Sequence, residues 1–285
     1  MTSPGSGRRT LLLMLLPALF VLAVLFVYPF IFGIYLSFTA KDGSAFTLSN
    51  YIAFFTDQRE LSTIGTTLLI SLPVTVLCVI AAVPMAYFMR RGLKHEKLVT
   101  FFLIIPITLG TVLIADGMLT FYGPRGWFSQ LLRLIGLSPA LVHNRTGVII
   151  SLFVQGFPFA FLMLLGYTSG INPDLEKASM MLGATRWQTF RKIMFPLMAP
   201  GIAIAFCLNF VMSFSVFPTA VLLGQPAGPT RVIAYAAWQW AYEKMNANMG
   251  SAICMIMAAI EVTIIGIVLA WRQRMYKGAS IVGKG

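Results

Sequence analysis

Few residues in this chain have the types and spacing that chemistry requires. The stretch "GASIVGKG" at 278–285 comes close to the phosphate-binding pattern G-x-x-x-x-G-K-[ST], but Gly285 stands where Mg²⁺ coordination needs a hydroxyl. No ATP site of the chain's own is read from it. Cys78, Cys207 and Cys254 show neither CxxC nor Cys/His ligand spacing, so neither a disulfide framework nor a metal site is expected. With two histidines, His95 and His143, in separate polar segments, no Ser/His/Asp set assembles, and catalysis by this chain is not expected. That leaves two acids inside apolar runs, Asp116 and Glu261. A charge at mid-membrane costs about 2.5–3.5 kcal/mol on insertion scales, and such residues line a transport path or pair inside a bundle. Asn209, Gln155 and serines such as Ser213 are the polar residues available to either role.

These residues sit in an oily chain. Of 285 residues 58% are hydrophobic and 11% charged, with mean hydropathy +0.83; soluble domains are about half apolar and a quarter charged. A soluble globular protein is excluded. Six apolar segments, at 11–38, 63–89, 98–121, 147–168, 197–223 and 247–271, meet the length of about 20 residues that a membrane span needs. Each is expected to be a helix, because a spanning segment must satisfy its own backbone hydrogen bonds. Residues 1–10 and 272–285 read as tails and 169–196 as a loop between spans. The first run, opening "RRTLLLMLLPALF", is longer than a signal-peptide core and reads as a retained span.

The net charge of +12 acquires meaning only when sorted by membrane side. With the N-terminus inside, the inner pieces carry Arg8, Arg9, Arg90, Arg91, Lys94, Lys97, Lys177, Arg186, Arg191, Lys192, Arg272, Arg274, Lys277 and Lys284. The outer loops carry half as many cations, so both termini are expected in the cytoplasm, and loop 169–196 with them. Prolines 29, 73, 84, 106, 158 and 218 fall within the spans, where kinks are tolerated. In the outer loop 122–146, "WFSQLLRLIGL" reads as a short surface helix with Phe128, Leu131, Leu132 and Ile135 on one face.

The most informative stretch is "NPDLEKASMMLGATRWQTFRKIMFPLMAP", residues 172–200. Asn172 can cap a helix with Pro173 at its first position and Asp174 and Glu176 in its first turn. Leu175, Ala178, Ser179 and Leu182 share a face, and Gly183 stands where a C-terminal glycine belongs. Thr185 and Gln188 form a capping box for a second helix that carries Trp187, Phe190 and Met194 and runs through Pro196 into the fifth span. The object is a helix, a glycine elbow and a helix entering the membrane. It is too short and charged to span. A helix lying on the membrane surface is one reading, favouring cations around an apolar face; the mixed signs here favour docking to a cytoplasmic protein.

This stretch resembles the EAA loop of ABC importer permeases, roughly E-A-A-x-x-x-G-x(9)-I-x-L-P. Gly183, Ile193 and Pro196 reproduce the spacing, followed by Ala184 after the glycine; Ala178 matches the first alanine and Ser179 stands for the second. The motif glutamate falls on Lys177, with Glu176 one residue earlier, and the motif leucine is Phe195. The runs "YPFIFGIYLSFT", "SNYIAFF", "TLLISLPVTVLCVIAAVPMAYFMRR" and "PGIAIAFCLNFVMSFSVFPTAVLLG" resemble type I permeases of the polyamine/opine/phosphonate branch. The resemblance implies an all-α, six-helix, MetI-like fold in a bacterial inner membrane. It implies separate ATP-binding cassette subunits that Glu176 or Lys177 would contact, a second permease (identical or related), an external substrate-binding protein, and no cofactor in this chain. It also implies that the chain forms half of a path for a small polar solute, a polyamine-like cation first, an opine or phosphonate otherwise. A secondary transporter or channel without an ATPase is the alternative of another class, which inverted repeats would favour; none is evident in the sequence.

Overall fold

The computed structural model describes residues 14–41, 43, 45–92, 96–136 and 141–280. The expected tail 1–10 with Arg8 and Arg9, the loop residues Lys94 and His95, and the tail end with Lys284 lie outside the described residues. Among the described residues no strand forms; one isolated antiparallel bridge joins Thr39 to Phe46. Six stretches are long and apolar enough to cross a membrane: Met14–Ser37, Gln58–Met89, Leu98–Leu134, Arg145–Ser169, Arg186–Phe214 and Ala247–Gln273. The chain is an all-α polytopic membrane protein.

In chain order the helices are α1 (Met14–Ser37), α2 (Ser49–Thr56), α3 (Gln58–Met89), α4 (Glu96–Tyr122), α5 (Trp127–Leu134), α6 (Arg145–Ser169), α7 (Asp174–Met181), α8 (Arg186–Phe214), α9 (Pro218–Leu222), α10 (Ile233–Trp238) and α11 (Ala247–Ser280). They divide into two compact units, one of residues 1–61 with 236–258, the other of residues 62–235 with 259–285.

In the first unit, the exposed stretch of α1 buries none of its apolar window, so its whole girth is left to lipid or another subunit. Below it, side-chain amides tie irregular backbone down: Asn50 Nδ2 donates to the carbonyls of Ser37 and Thr39 at 3.1 and 3.0 Å, and Asn248 Nδ2 donates to Thr39 O at 3.0 Å. The indole of Trp240 donates to Glu60 Oε1 at 3.1 Å.

The second unit holds the main core, built where α3, α4, α6, α8 and α9 meet around Ile70, Cys78, Leu152, Phe161, Leu164 and Met198. Membrane helices associate without a hydrophobic drive, so close approach at small residues does the work. Gly156 of α6 is such a point: a Cβ there would meet Asn209 Oδ1 at 2.8 Å and Cys78 Sγ at 3.1 Å. The same approach lets Asn209 Nδ2 donate to Gly156 O at 2.8 Å. Gly201 of α8 repeats the device against the Tyr167 ring, 2.5 Å from a built Cβ.

Four differences from the sequence reading stand out. The fifth span is one helix from Arg186 to Phe214, not 197–223. It ends at Ser215 because Phe217, preceding Pro218, is barred from ordinary helix geometry and takes φ −125°. The third span breaks at Gly110, whose φ of 74° and ψ of 161° lie outside the helix, four residues after Pro106. In α5, Phe128 and Leu132 turn inward with Ser129, but Leu131 and Ile135 are exposed, so the expected apolar face is only half used. The final helix also runs on through Ser280, where a tail from 272 was expected.

Gly156→Leu should therefore lower the thermal unfolding midpoint of the purified chain, by an overpacking cost of about 1–3 kcal/mol. Gly266→Leu, where a built Cβ meets nothing within 4 Å, should leave the midpoint unchanged.

Candidate functional site

The segment between α6 and α8 forms the helix–elbow–helix that its residues specify. Asn172 Oδ1 accepts from Asp174 N at 2.9 Å, closing the start of α7. At its end Gly183 adopts φ 85°. Gly183 N donates to Met180 O at 3.0 Å and Ala184 N to Ser179 O at 3.1 Å, the paired bonds of a Schellman cap. The capping box then opens α8: Gln188 N donates to Thr185 Oγ1 at 3.2 Å and Thr185 N to Gln188 Oε1 at 2.8 Å. Four residues on, Phe190–Met194 form a π turn before the helix resumes at Phe195. Ile193 is part-buried within that turn, and Pro196 follows it on the exposed side.

The two faces of α7 do different things. Glu176 and Ser179 face the chain, 5% and 6% exposed. Leu175, Lys177, Ala178, Met181 and Leu182 face away, Met181 and Leu182 at 88% and 89% exposure. Within this chain the Glu176 and Ser179 side chains seat α7 on its neighbours, while Lys177 and Ala178 stand on the open face. Ser179 Oγ donates to Glu176 O at 2.9 Å and shares a 2.8 Å hydrogen bond with Thr189 Oγ1 across the elbow. Lys177 reaches outward and pairs with Asp174 at 2.9 Å, both strongly exposed, a pair worth little in water.

Glu176 is the centre of a buried cluster. Its Oε2 accepts from Arg90 Nη2 at 2.6 Å. Its Oε1 accepts from both Tyr87 Oη and Arg91 Nη2, and Arg91 also donates to Tyr87 Oη at 2.7 Å. Arg90 Nη1 reaches the α6 end carbonyls of Thr168 and Ile171 at 3.5 and 3.4 Å, where the helix dipole favours a cation. The Arg91 guanidinium lies 4.9 Å from the centre of the Tyr87 ring. Burial opposes ionisation of Glu176, but the hydrogen bonds from Tyr87, Arg91 and Arg90 outweigh it and hold the carboxyl below its ordinary range. Burial likewise opposes the charge on Arg91, and its bond to Glu176 outweighs that and raises its pKa. The sequence reading counted Arg90 and Arg91 only as inside cations. The available signal was an acid in α7 and adjacent arginines after a span, but nothing in the sequence joined residues more than 80 positions apart.

The polar residues inside the spans do not form one constellation. Glu261 Oε1 accepts from Ser215 Oγ at 2.8 Å. Gln155 Nε2 donates to Ser151 and to Thr219 Oγ1 at 3.2 Å, linking α6 to α9. Asn209 is fully buried against Gly156, with Oδ1 unpaired among the described residues. Ser213 is buried on α8, and Asp116 is exposed on α4 without a hydrogen bond or ion pair among the described residues. The geometry gives Asn209 and Gln155 helix-joining contacts and leaves Glu261 and Asp116 as the acids with room for another partner.

Glu176→Leu should strip Arg90, whose side chain is only 4% exposed, of its counter-charge. A cost of about 3–5 kcal/mol is expected for such an uncompensated buried ion. Thermal unfolding should show the Arg90→Met/Glu176→Leu double variant more stable than Glu176→Leu alone.

Comparisons with known proteins fall on the same reading. Residues 79–277 match the family described as "Binding-protein-dependent transport system inner membrane component". A spermidine/putrescine transport system permease protein, PotB, from Haemophilus influenzae is 28% identical over 219 residues, covering 74% of this chain and 72% of that protein. A probable sulfate transport system permease protein, cysT, from Prototheca wickerhamii is 25% identical over 189 residues, covering 65% and 73%. A chain in the crystal structure of a bacterial ABC transporter that imports the acidic polysaccharide alginate superposes with TM-score 0.80 at 22% identity, covering 94% of this chain and 96% of that one. The matched family, which takes in the core of the second unit together with α7 and its elbow, identifies this multi-pass chain as a member of the inner-membrane components of binding-protein-dependent transport systems, the type I ABC importer permeases.

Proposed function

We propose that the chain forms half of the solute path of an ATP-driven importer and takes its drive from a separate ATP-binding subunit that docks on α7. The observation that carries this is the split character of α7, with one face locked to Arg90, Arg91 and Tyr87 and the other exposing Met181 and Leu182. Two large apolar side chains exposed side by side at the end of a helix outside the spans are the kind of surface that a partner covers. The relatives are permeases of transport systems, which supports a second permease, an ATPase pair and an external binding protein as the rest of the assembly. In this reading both termini and the 169–196 loop are cytoplasmic, as the distribution of Lys and Arg favours.

Motion at α7 has one stiff route into the membrane. The elbow is short, held by its own hydrogen bonds and continuous with α8, which runs through the π turn at Phe190–Met194 to Phe214. ATPase closure would displace α7 as a unit and tilt α8 against α6, switching the path between two packings.

For the solute we favour a polyamine-like cation, supported by the two acids Glu261 and Asp116 and by the spermidine/putrescine relative. The sulfate relative and the alginate importer support an anionic solute as the second reading.

Met181→Glu should leave the thermal midpoint of the isolated chain unchanged. It should cost about 2 kcal/mol or more in association with the ATP-binding subunit if Met181 sits at the interface centre. Co-purification and ATP-driven uptake read the outcome; undiminished association would remove α7 from the contact. Glu261→Gln should reduce spermidine uptake in reconstituted vesicles while sparing subunit assembly. Unchanged uptake would return Glu261 to a packing role with Ser215.

A further inference from the structure

One cavity beside the elbow is not used by the coupling geometry. It measures about 340 Å³ and lies between the last turns of α3 and the first turns of α8. Tyr87, Phe88 and Arg91 line it from the first side, Arg186, Trp187 and Phe190 from the second. Both walls are the ends of stretches long and apolar enough to cross a membrane, Gln58–Met89 and Arg186–Phe214. Trp187 and Phe88 are 66% and 56% exposed there, and aromatic rings of this kind belong to the membrane–water boundary.

The charges of the cavity are of one sign. No carboxylate lines it. Arg91 uses Nη2 for Glu176 and Tyr87, while its Nε and Nη1 make no hydrogen bond among the described residues. Arg186 makes neither a hydrogen bond nor an ion pair among the described residues. The rings form the apolar part: Trp187 stacks on Phe190 with centroids 5.8 Å apart, and Phe190 meets Tyr87 at 4.9 Å. Two guanidinium groups with open donors over an aromatic wall complement a molecule with one anionic head and an apolar body.

We propose that this cavity binds an anionic phospholipid of the cytoplasmic leaflet. Its phosphodiester lies between Arg91 and Arg186, and its glycerol and first acyl carbons lie along Phe88 and Trp187. An ATPase side chain fits less well, because the outward residues of α7, Met181 and Leu182, do not line the cavity, and its walls are the spans themselves. Arg91 is shared between this cavity and Glu176, so a phosphodiester in the cavity competes with Glu176 for that guanidinium and loosens the clamp that seats α7. The lipid would then tune coupling. That last step rests on the importer reading; the binding does not.

The test uses the full chain in vesicles that contain either brominated phosphatidylglycerol or brominated phosphatidylcholine. Trp187 emission is obtained as the difference between wild type and Trp187→Phe. Bromine on phosphatidylglycerol should quench it more strongly than bromine on phosphatidylcholine. Arg186→Gln, which leaves the Glu176 cluster intact, should cut that preference roughly five-fold, the expectation for one cation at an anionic surface. Equal quenching by the two lipids, or an undiminished preference in Arg186→Gln, overturns the proposal. So does displacement by millimolar inorganic phosphate, which would assign the site to a free anion. Loss of the quenching when the ATP-binding subunit is assembled on the chain would give the cavity to that protein and overturn it equally.

Discussion

The seat of α7 depends on one buried carboxylate. Glu176 is pulled out of water, a cost no single neighbour would offset, and is held by two arginines and a tyrosine at once. Everything around it follows from that arrangement. Arg90 fastens the end of α6, Arg91 reaches the border of the spans, and Ser179 and Thr189 close the elbow from behind. Two segments more than 80 positions apart, the end of α3 and α7, therefore meet at one charge. A buried ion cluster is a poor source of net stability but a strong source of geometric definition, since partial pairings are so costly. That would suit the force-carrying joint of the proposed importer.

Local grammar was legible in the sequence. The asparagine start, the glycine elbow and the threonine–glutamine box of residues 172–188 appear in the structure as read, because each is decided within a few residues. The six spans were legible for a similar reason, since length and apolarity alone require helices in a membrane. What escaped was anything that depends on contact at a distance. The partner of Glu176 lies in residues 87–91. The direction of Ser179 is set by Thr189 and by the pull of its neighbour Glu176. Asn209 suited a path or an internal hydrogen bond by type alone, and its contact with the carbonyl of Gly156 was not visible in the sequence. The helix break at Gly110 was also missed, because a glycine in an apolar run carries no sign of its φ.

The membrane-facing surfaces repeat a contrast of roles. α6 and α8 bury about half of their apolar windows, 50% and 56%, and form the rigid centre of their unit. The third span buries only 11% and is the one interrupted in its middle. It packs on α6 and α9, yet most of its apolar window is open and the Gly110 break lies within the span, whereas α8 is more deeply packed.

The capped elbow has one more consequence. All of its turn-forming backbone donors between Leu182 and Thr189, other than those of the first helical turn, find acceptors within the loop itself: Leu182 in Ala178, Gly183 in Met180, Ala184 in Ser179, Thr185 in Gln188 and Thr189 in Thr185. The loop is therefore ordered by its own hydrogen bonds. In the importer proposed above, docking on α7 would not have to freeze this backbone, a loss of about 1–2 kcal/mol for each residue that must be ordered. The segment would meet its partner as a preorganised solid rather than as a flexible tether, and a push at one end would arrive at the other without first taking up slack.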